Sequence, residues 1–176
     1  MSLPSQSAAS RLCLACGICC NGVMFYNVRL HLTDSLRELL AFGLKLKRKH
    51  GKNFLLQPCP AFQESQCCIY LHRPERCRLF ECRQLQQVAS GEISETVARD
   101  KIEEVVRRVA HVNQLLHEAG KTDPKKPLTK RYEKITAEPV DLSSEQKTIE
   151  LRSQLTRAMQ QLETLLEKDF RPLVDH

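Results

Sequence analysis

The chain has 176 residues, the size of one domain or of a small domain with a helical extension. Hydrophobic residues make up 41% of it and aromatic residues only 5%, with no tryptophan, so aliphatic side chains must build the core, which favours helices over a β-sandwich. The net charge of +6 lies in residues 1–82, because residues 83–176 hold 16 basic and 16 acidic side chains.

The beginning of the chain is not expected to act as an export signal. Residues 1–10 are small and polar and lack the charged and apolar segments of a signal peptide. No stretch elsewhere approaches the ~18 apolar residues that a membrane span needs. We therefore expect a cytoplasmic protein without membrane contact. Structural disulfides are disfavoured in that reducing compartment, so the cysteines need another role.

Nine cysteines lie in the first half of the chain, and none in the 94 residues after Cys82. Together with the hydrophobic pattern, this distribution predicts a mainly α protein made of three parts. They are a disordered N-terminus (1–12), a small loop-rich cysteine module (13–93) and a long antiparallel helical hairpin (94–176), with a Pro/Lys-rich linker at 121–142.

The first motif is CLACGICC, which contains Cys13, Cys16, Cys19 and Cys20. Cysteines separated by two residues can turn their sulfurs towards one ion, because the backbone between them forms a tight knuckle. Adjacent side chains in extended backbone point apart, so Cys19 and Cys20 can serve two different metal sites. The same spacing opens the ligand run of bacterial ferredoxins, in which case Cys59, followed by Pro60, is a candidate for the remote fourth ligand.

A helix is predicted next, from Thr33 or Asp34 through about His50, with Gly51 ending it. Its packed face would consist of Leu36, Leu39, Leu40, Gly43 and Leu44. The basic run at residues 45–49 would lie in its last turns, where it complements the helix dipole; a phosphate-binding patch is the alternative.

The second group of cysteines lies between residues 59 and 82 and comprises Cys59, Cys67, Cys68, Cys77 and Cys82. Pro60 and Pro74, with Pro58 just before the segment, resist a continuous helix here, so cross-linking by metal is a source of stability for this segment. Arg73, Arg76 and Arg78 lie near Cys77. They would lower its pKa and favour the ligating thiolate, or they are ordinary surface arginines.

Two amphipathic helices are predicted in the second half. Ser94 caps the first and Gly120 ends it, with apolar residues at Ala98, Ile102, Val105, Val109, Val112, Leu116 and Ala119. Ser143 and Gln146 resemble a capping box for the second, with apolar residues at Leu151, Leu155, Ala158, Leu162 and Leu165. An antiparallel hairpin buries both stripes, and a homodimer would do so too. We interpret His111 and His117 as ordinary, partly buried histidines without a metal role.

The cysteine module resembles the CxxCxxCC, or YkgJ-like, family of zinc- or iron-chelating domains. The resemblance rests on the opening four cysteines, on Cys59, and on the Cys68-Ile69-Tyr70, Arg73-Pro74 and Cys77-Arg78 segments. It implies that the metal ligands are Cys13, Cys16, Cys19, Cys20, Cys59, Cys68, Cys77 and Cys82, supported by Tyr70, Arg73, Pro74 and Arg78. Eight thiolates would fill two zinc sites or two [4Fe-4S] clusters. Either Cys67 or Cys82 is then the spare thiol, and we prefer Cys67.

Three functions are compatible with these features. We favour a non-enzymatic protein that chelates zinc or iron and offers its helical hairpin to a protein partner or a second copy. The alternative is a redox or methyl-transfer enzyme, because flagellin lysine methylases have a similar cysteine cluster, although a glycine-rich nucleotide motif is missing. A zinc module that binds nucleic acid is the third possibility. We do not expect a nucleic-acid partner, since residues 45–52 are the only basic segment that suggests one and they lack interleaved aromatic residues.

Overall fold

The computed structural model describes residues 7–64, 66–120, 123–138 and 146–172. Most of them are helical, which confirms the mainly α class. The α-helices are α1 (Ala8–Cys16), α2 (Leu36–Ala41), α3 (Glu75–Leu79), α4 (Arg83–Ala89), α5 (Glu95–Glu118), α6 (Leu128–Ala137) and α7 (Gln146–Leu165). The strands are β1 (Asn27–Arg29), β2 (Leu46–Lys49), β3 (Lys52–Leu56), β4 (Phe62–Gln63) and β5 (Gln66–Cys67). None of the described helices combines the length and the apolar character of a membrane span.

Helix α1 begins at Ala8, inside the segment 1–12 that was predicted to be disordered. Ser7 caps it, because its side chain accepts a hydrogen bond from the N–H of Ser10 at 3.2 Å. Leu12 packs in the core with 1% of its surface exposed. The prediction of disorder is therefore wrong for residues 8–12, and residues 1–6 lie outside the described part of the chain.

The long helix predicted from residue 33 to residue 50 is wrong. Helix α2 ends at Ala41, and Gly43 takes a positive φ of 76°, which turns the chain away. His50 and Gly51 both have positive φ, 48° and 72°, which suits the tight turn of a β-hairpin and joins β2 to β3. The basic residues 45–49 thus lie on an exposed hairpin, where they complement no helix dipole.

Strand β3 forms the centre of a three-stranded antiparallel sheet in the order β1-β3-β2. Helix α2 packs Leu39 against this sheet, whereas Leu36 and Leu40 of its predicted packed face are exposed. A second core forms here from Leu30, Leu39, Leu44, Leu55, Cys59, Ala61 and Ile69.

The long helix α5 follows its predicted boundaries. Ser94 caps it by accepting a hydrogen bond from the N–H of Val97 at 3.3 Å, and Gly120 follows its end with a φ of 71°. All of its predicted stripe is buried except Ala119, which is partly buried. His111 and His117 are exposed, not partly buried.

Helix α7 packs along α5 with its predicted stripe, of which Leu151 is partly buried and the rest buried. Lys101 pairs with Asp169 at 3.3 Å and Arg108 with Gln161 at 3.4 Å, so the two helices run in opposite directions. The capping box expected at Ser143 lies outside the described residues.

The predicted linker at 121–142 contains a helix, α6, whose Leu128 and Ile135 are buried. The N–H of Leu128 donates a hydrogen bond to the carbonyl of Gly22 at 3.1 Å, which ties α6 to the cysteine-rich segment.

The largest core joins the two halves of the chain. It contains Leu12 of α1, Ile18, Leu85 of α4 and the stripes of α5 and α7. The boundary predicted between residues 93 and 94 therefore does not coincide with a break in packing. This helical core and the smaller sheet core are the two frameworks on which the cysteines are placed.

Candidate metal centre

Eight of the nine cysteines divide into two groups according to the core that they contact, and all nine are free thiols. Four pack against the helical core, and we name them the first quartet: Cys13, Cys16, Cys19 and Cys82. Four belong to or pack against the sheet core, and we name them the second quartet: Cys20, Cys59, Cys67 and Cys77. Cys68 is exposed and contacts neither core.

The first quartet is built from the end of α1 and the start of α4. Cys13 and Cys16 lie three residues apart on α1 and so share one face of the helix. The chain then reverses at Gly17, which brings Cys19 back towards them, and Cys82 caps the N-terminus of α4. Burial raises the pKa of Cys16 to about 12, and repulsion from Cys82 and Cys13 adds to this effect.

Charge coupling at Cys19 agrees with this grouping. Burial also raises the pKa of Cys19 well above its ordinary value, with added repulsion from Cys16, Cys82, Cys20 and Cys13. Three of these four thiols are the other members of the first quartet, and Cys20 is the adjacent residue. A cation among these sulfurs would remove the mutual repulsion and offset the cost of burying thiolates.

The second quartet joins four separate segments. The N–H of Cys59 donates a hydrogen bond to the carbonyl of Cys20 at 2.7 Å, which holds these two residues side by side. Cys67 ends β5 and Cys77 lies on α3. Burial raises the pKa of Cys20, and repulsion from Cys59, Cys67 and Cys77, together with Cys13 of the first quartet, raises it further. The pKa of Cys77 rises to about 12, again mainly through burial.

Seven of the eight predicted ligands thus belong to the quartets, and the structure places Cys67, not Cys68, with the others. Cys67 pairs with Phe62 across β4 and β5, and both side chains turn towards the sheet core. Because successive side chains of extended backbone face opposite ways, Cys68 points to solvent. This alternation was the sequence signal that could have identified Cys67.

Cys59 does not belong to the same quartet as the C-x2-C-x2-C motif, although the ferredoxin spacing had made it the candidate fourth ligand. It lies in the second quartet, while Cys82 stands beside the C-x2-C-x2-C motif. Adjacent Cys19 and Cys20 fall into different quartets, which agrees with the opposite directions expected for neighbouring side chains.

Tyr70 and Arg73 connect the thiols to the surrounding fold. The hydroxyl of Tyr70 donates to Ser10 Oγ at 3.0 Å on α1. The Nε of Arg73 donates to the Tyr70 carbonyl at 2.9 Å, and its guanidinium lies 3.7 Å from the centre of the Tyr70 ring. The positive charge of Arg73 opposes the rise in the pKa of Cys13, Cys67 and Cys77.

The other two residues predicted to support the ligands, Pro74 and Arg78, differ in their burial. Pro74 is buried beside the thiols, as part of the cavity that they line. Arg78 is exposed, and its backbone N–H donates to the carbonyl of Pro74 at 3.1 Å.

The donor set fits soft metals, because thiolates favour zinc and iron–sulfur centres over hard cations. Within the described residues, no three Cys, His, Asp or Glu side chains converge closely enough to hold a single ion. A single zinc requires sulfurs ~3.8 Å apart, as follows from a Zn–S bond of about 2.3 Å. An iron–sulfur cluster binds each cysteine through a different iron, so it suits thiols that stand further apart.

Gly17 is the residue that allows the two quartets to approach each other. Its φ is 66°, and a Cβ at this position would overlap the ring of Phe62, which belongs to the sheet core. We expect Gly17→Ala to destabilise the protein by more than the about 1–2 kcal/mol that left-handed backbone alone costs. Denaturant unfolding measures this.

Gly91→Ala is the matched control, because Gly91 has a φ of 75° and nothing lies within 4 Å of the place that a Cβ would take there. This variant should show the backbone cost alone. Equal losses of stability in both variants would contradict a steric role for the Gly17–Phe62 contact.

A set of buried and half-buried free thiols, grouped by fours on two cores, defines a thiolate metal-binding class of protein. The family model CxxCxxCC, described as "Putative zinc- or iron-chelating domain", matches residues 12–104. The chain belongs to this family, which confirms the resemblance seen in the sequence. Comparisons with curated proteins and with solved structures gave no match.

Proposed function

We propose that this protein is a metal-binding protein with two four-thiolate centres, one on each quartet, and that the first quartet holds a [4Fe-4S] cluster. The observation that carries the proposal is the division of eight cysteines between two cores, four on each. Chance packing of cysteines as small apolar residues would not produce equal sets, and Cys19 and Cys20 are each repelled most strongly by thiols of their own set.

The pattern of the first quartet supports a cluster over a single ion. Cys13, Cys16 and Cys19 give the C-x2-C-x2-C spacing of iron–sulfur proteins, and Cys82 supplies a remote fourth thiol. When bound, such a centre would supply cross-links for the fold and a one-electron redox couple.

The chain's own groups prepare both sites for thiolates. The N–H of Ile18 stabilises the charged form of Cys16, and the N–H groups of Gln84 and Leu85 do the same for Cys82 at the start of α4. In the second quartet, the N–H of Ala61 likewise stabilises the charged form of Cys59 and opposes the rise in its pKa. Such donors are the outer contacts that hold metal-bound thiolates in place.

Elemental analysis of protein purified without oxygen tests the proposal. We expect iron and acid-labile sulfide, and a brown solution with broad charge-transfer absorption. A colourless protein with two zinc ions per chain would replace the cluster by zinc and keep the two quartets. Protein that holds neither metal, even after anaerobic reconstitution with iron, sulfide and zinc, would overturn the proposal.

A further inference from the structure

A cavity of about 390 Å³ opens beside the thiols. Six thiols line it: the whole second quartet, and Cys13 and Cys19 of the first quartet. The rest is mainly apolar and includes Phe25 and Phe80, whose rings meet edge to face at 5.1 Å. The cavity is thus larger, and its lining more varied, than a metal-binding site alone requires, because a metal contacts only the sulfurs.

Three arginines line the same cavity, and two of them have no charged partner. Arg73 is held by Tyr70 and acts on the thiols, as described above. Arg29 on β1 and Arg76 on α3 are exposed, which places them at the mouth. Throughout the described ranges, no carboxylate forms an ion pair with either side chain, and the cavity lining contains no acidic residue. Since α3 packs against β1, the two arginines approach the same cavity from neighbouring elements.

A buried amide provides a second polar group in the cavity. Gln57 is only 5% exposed and lines the cavity, and its Oε1 has no hydrogen-bond partner among the described protein atoms. A buried acceptor without a partner is unfavourable, so a bound molecule with an N–H or O–H group would satisfy it.

We propose that this cavity binds a small organic anion with an apolar body. Arg29 and Arg76 receive the carboxylate, Phe25 and Phe80 contact the apolar part, and Gln57 accepts a hydrogen bond from a donor at the inner end. Apolar walls with a few convergent polar groups are the usual composition of a small-molecule site. The inference rests on the proposed function in one respect: the metal of the second quartet takes up the thiol-lined part, so the ligand lies beside it.

Calorimetric titration of the metal-loaded full chain tests this inference with three matched probes. They are ω-hydroxyoctanoate, which has all three features, octanediol, which lacks the anion, and octanoate, which lacks the inner donor. We expect ω-hydroxyoctanoate to bind at least about tenfold more tightly than octanediol, because charge-assisted hydrogen bonds to arginine are lost with the carboxylate. Octanoate should bind several-fold more weakly than ω-hydroxyoctanoate.

Substitutions test whether Arg29 and Arg76 bind the carboxylate. Arg29→Gln and Arg76→Gln should each weaken binding of ω-hydroxyoctanoate by about tenfold and leave octanediol unchanged. Arg78→Gln is the matched control, because Arg78 is exposed on the same helix as Arg76 but does not line the cavity. Equal affinity for the diol and the anion, or equal effects of the Arg76 and Arg78 substitutions, would overturn the inference.

Metal content, measured on every sample, separates this inference from the proposed function. If only the metal-free chain binds the probe, the cavity is merely the seat of the metal, and the inference fails while the metal sites stand. If the chain binds the anion as expected but never holds metal, the proposed function fails and the ligand site stands.

Discussion

Cys16→Ser is expected to remove the metal of the first quartet alone, and Cys20→Ser that of the second quartet alone. Each substitution replaces one of four thiolates by a hydroxyl, which is a poor ligand for soft metals at neutral pH. Because the two quartets rest on different cores, the intact quartet should keep its four ligands. Metal and sulfide per chain, measured on protein prepared without oxygen, should fall by the content of one centre in each variant.

The adjacent cysteines 67 and 68 provide the control. Cys68→Ser should retain both centres, because Cys68 is exposed, whereas Cys67→Ser should lose the second centre. Structural thiolate sites contribute on the order of 10 kcal/mol to folding, so the loss of a centre should also lower the melting temperature markedly. Loss of all metal from either Cys16→Ser or Cys20→Ser would mean that the eight thiols share one site.

The parts of the fold that the sequence predicted correctly depend on local signals. Ser94 caps α5 through a side chain three residues from its partner, and Gly120 ends the helix through its own backbone freedom. The stripes of α5 and α7 repeat every three or four residues, and that repeat alone specifies the buried face.

The misjudged segment around residue 45 shows where local reasoning fails. Leucines at helical spacing occur there, but two of the predicted apolar positions, Leu36 and Leu40, are exposed. The positive φ values of Gly43 and His50 replace the expected helix by a turn and a hairpin. Histidine is among the non-glycine residues enriched at positive φ, but any such residue is uncommon there, so the composition gave little warning.

The division of cysteines into quartets could not be read from spacing, because it depends on which core each segment packs against. Cys82 lies 63 residues after Cys19 but beside it, as α4 packs against α1. Cys59 follows Cys20 by 39 residues and is joined to it by a backbone hydrogen bond. Both relations are tertiary, and only the adjacency of Cys19 and Cys20 was visible as a hint.

The stability of the metal-free fold and its affinity for metal are expected to depend on pH in opposite directions. Burial raises the pKa of Cys16 and Cys77 from 9.0 to about 12 in the metal-free fold. Unfolded thiols ionise near their ordinary value, so the metal-free fold gains its full stability from these groups below about pH 9. It should lose that stability as the pH rises from about 9 to about 12, because the unfolded chain then releases protons that the folded chain retains.

The affinity for metal should instead increase with pH, because the ligating form is the thiolate and every bound thiol must release a proton. Zinc added to the metal-free chain serves as a probe, and its apparent affinity should rise by up to about tenfold per pH unit for each proton released, hence steeply for four ligands. Chelator competition between pH 6.5 and 8 measures the slope, and a pH indicator in weak buffer counts the protons. A slope near zero, or the release of fewer than three protons per zinc, would mean that the thiols are already ionised or do not bind the metal as a set of four.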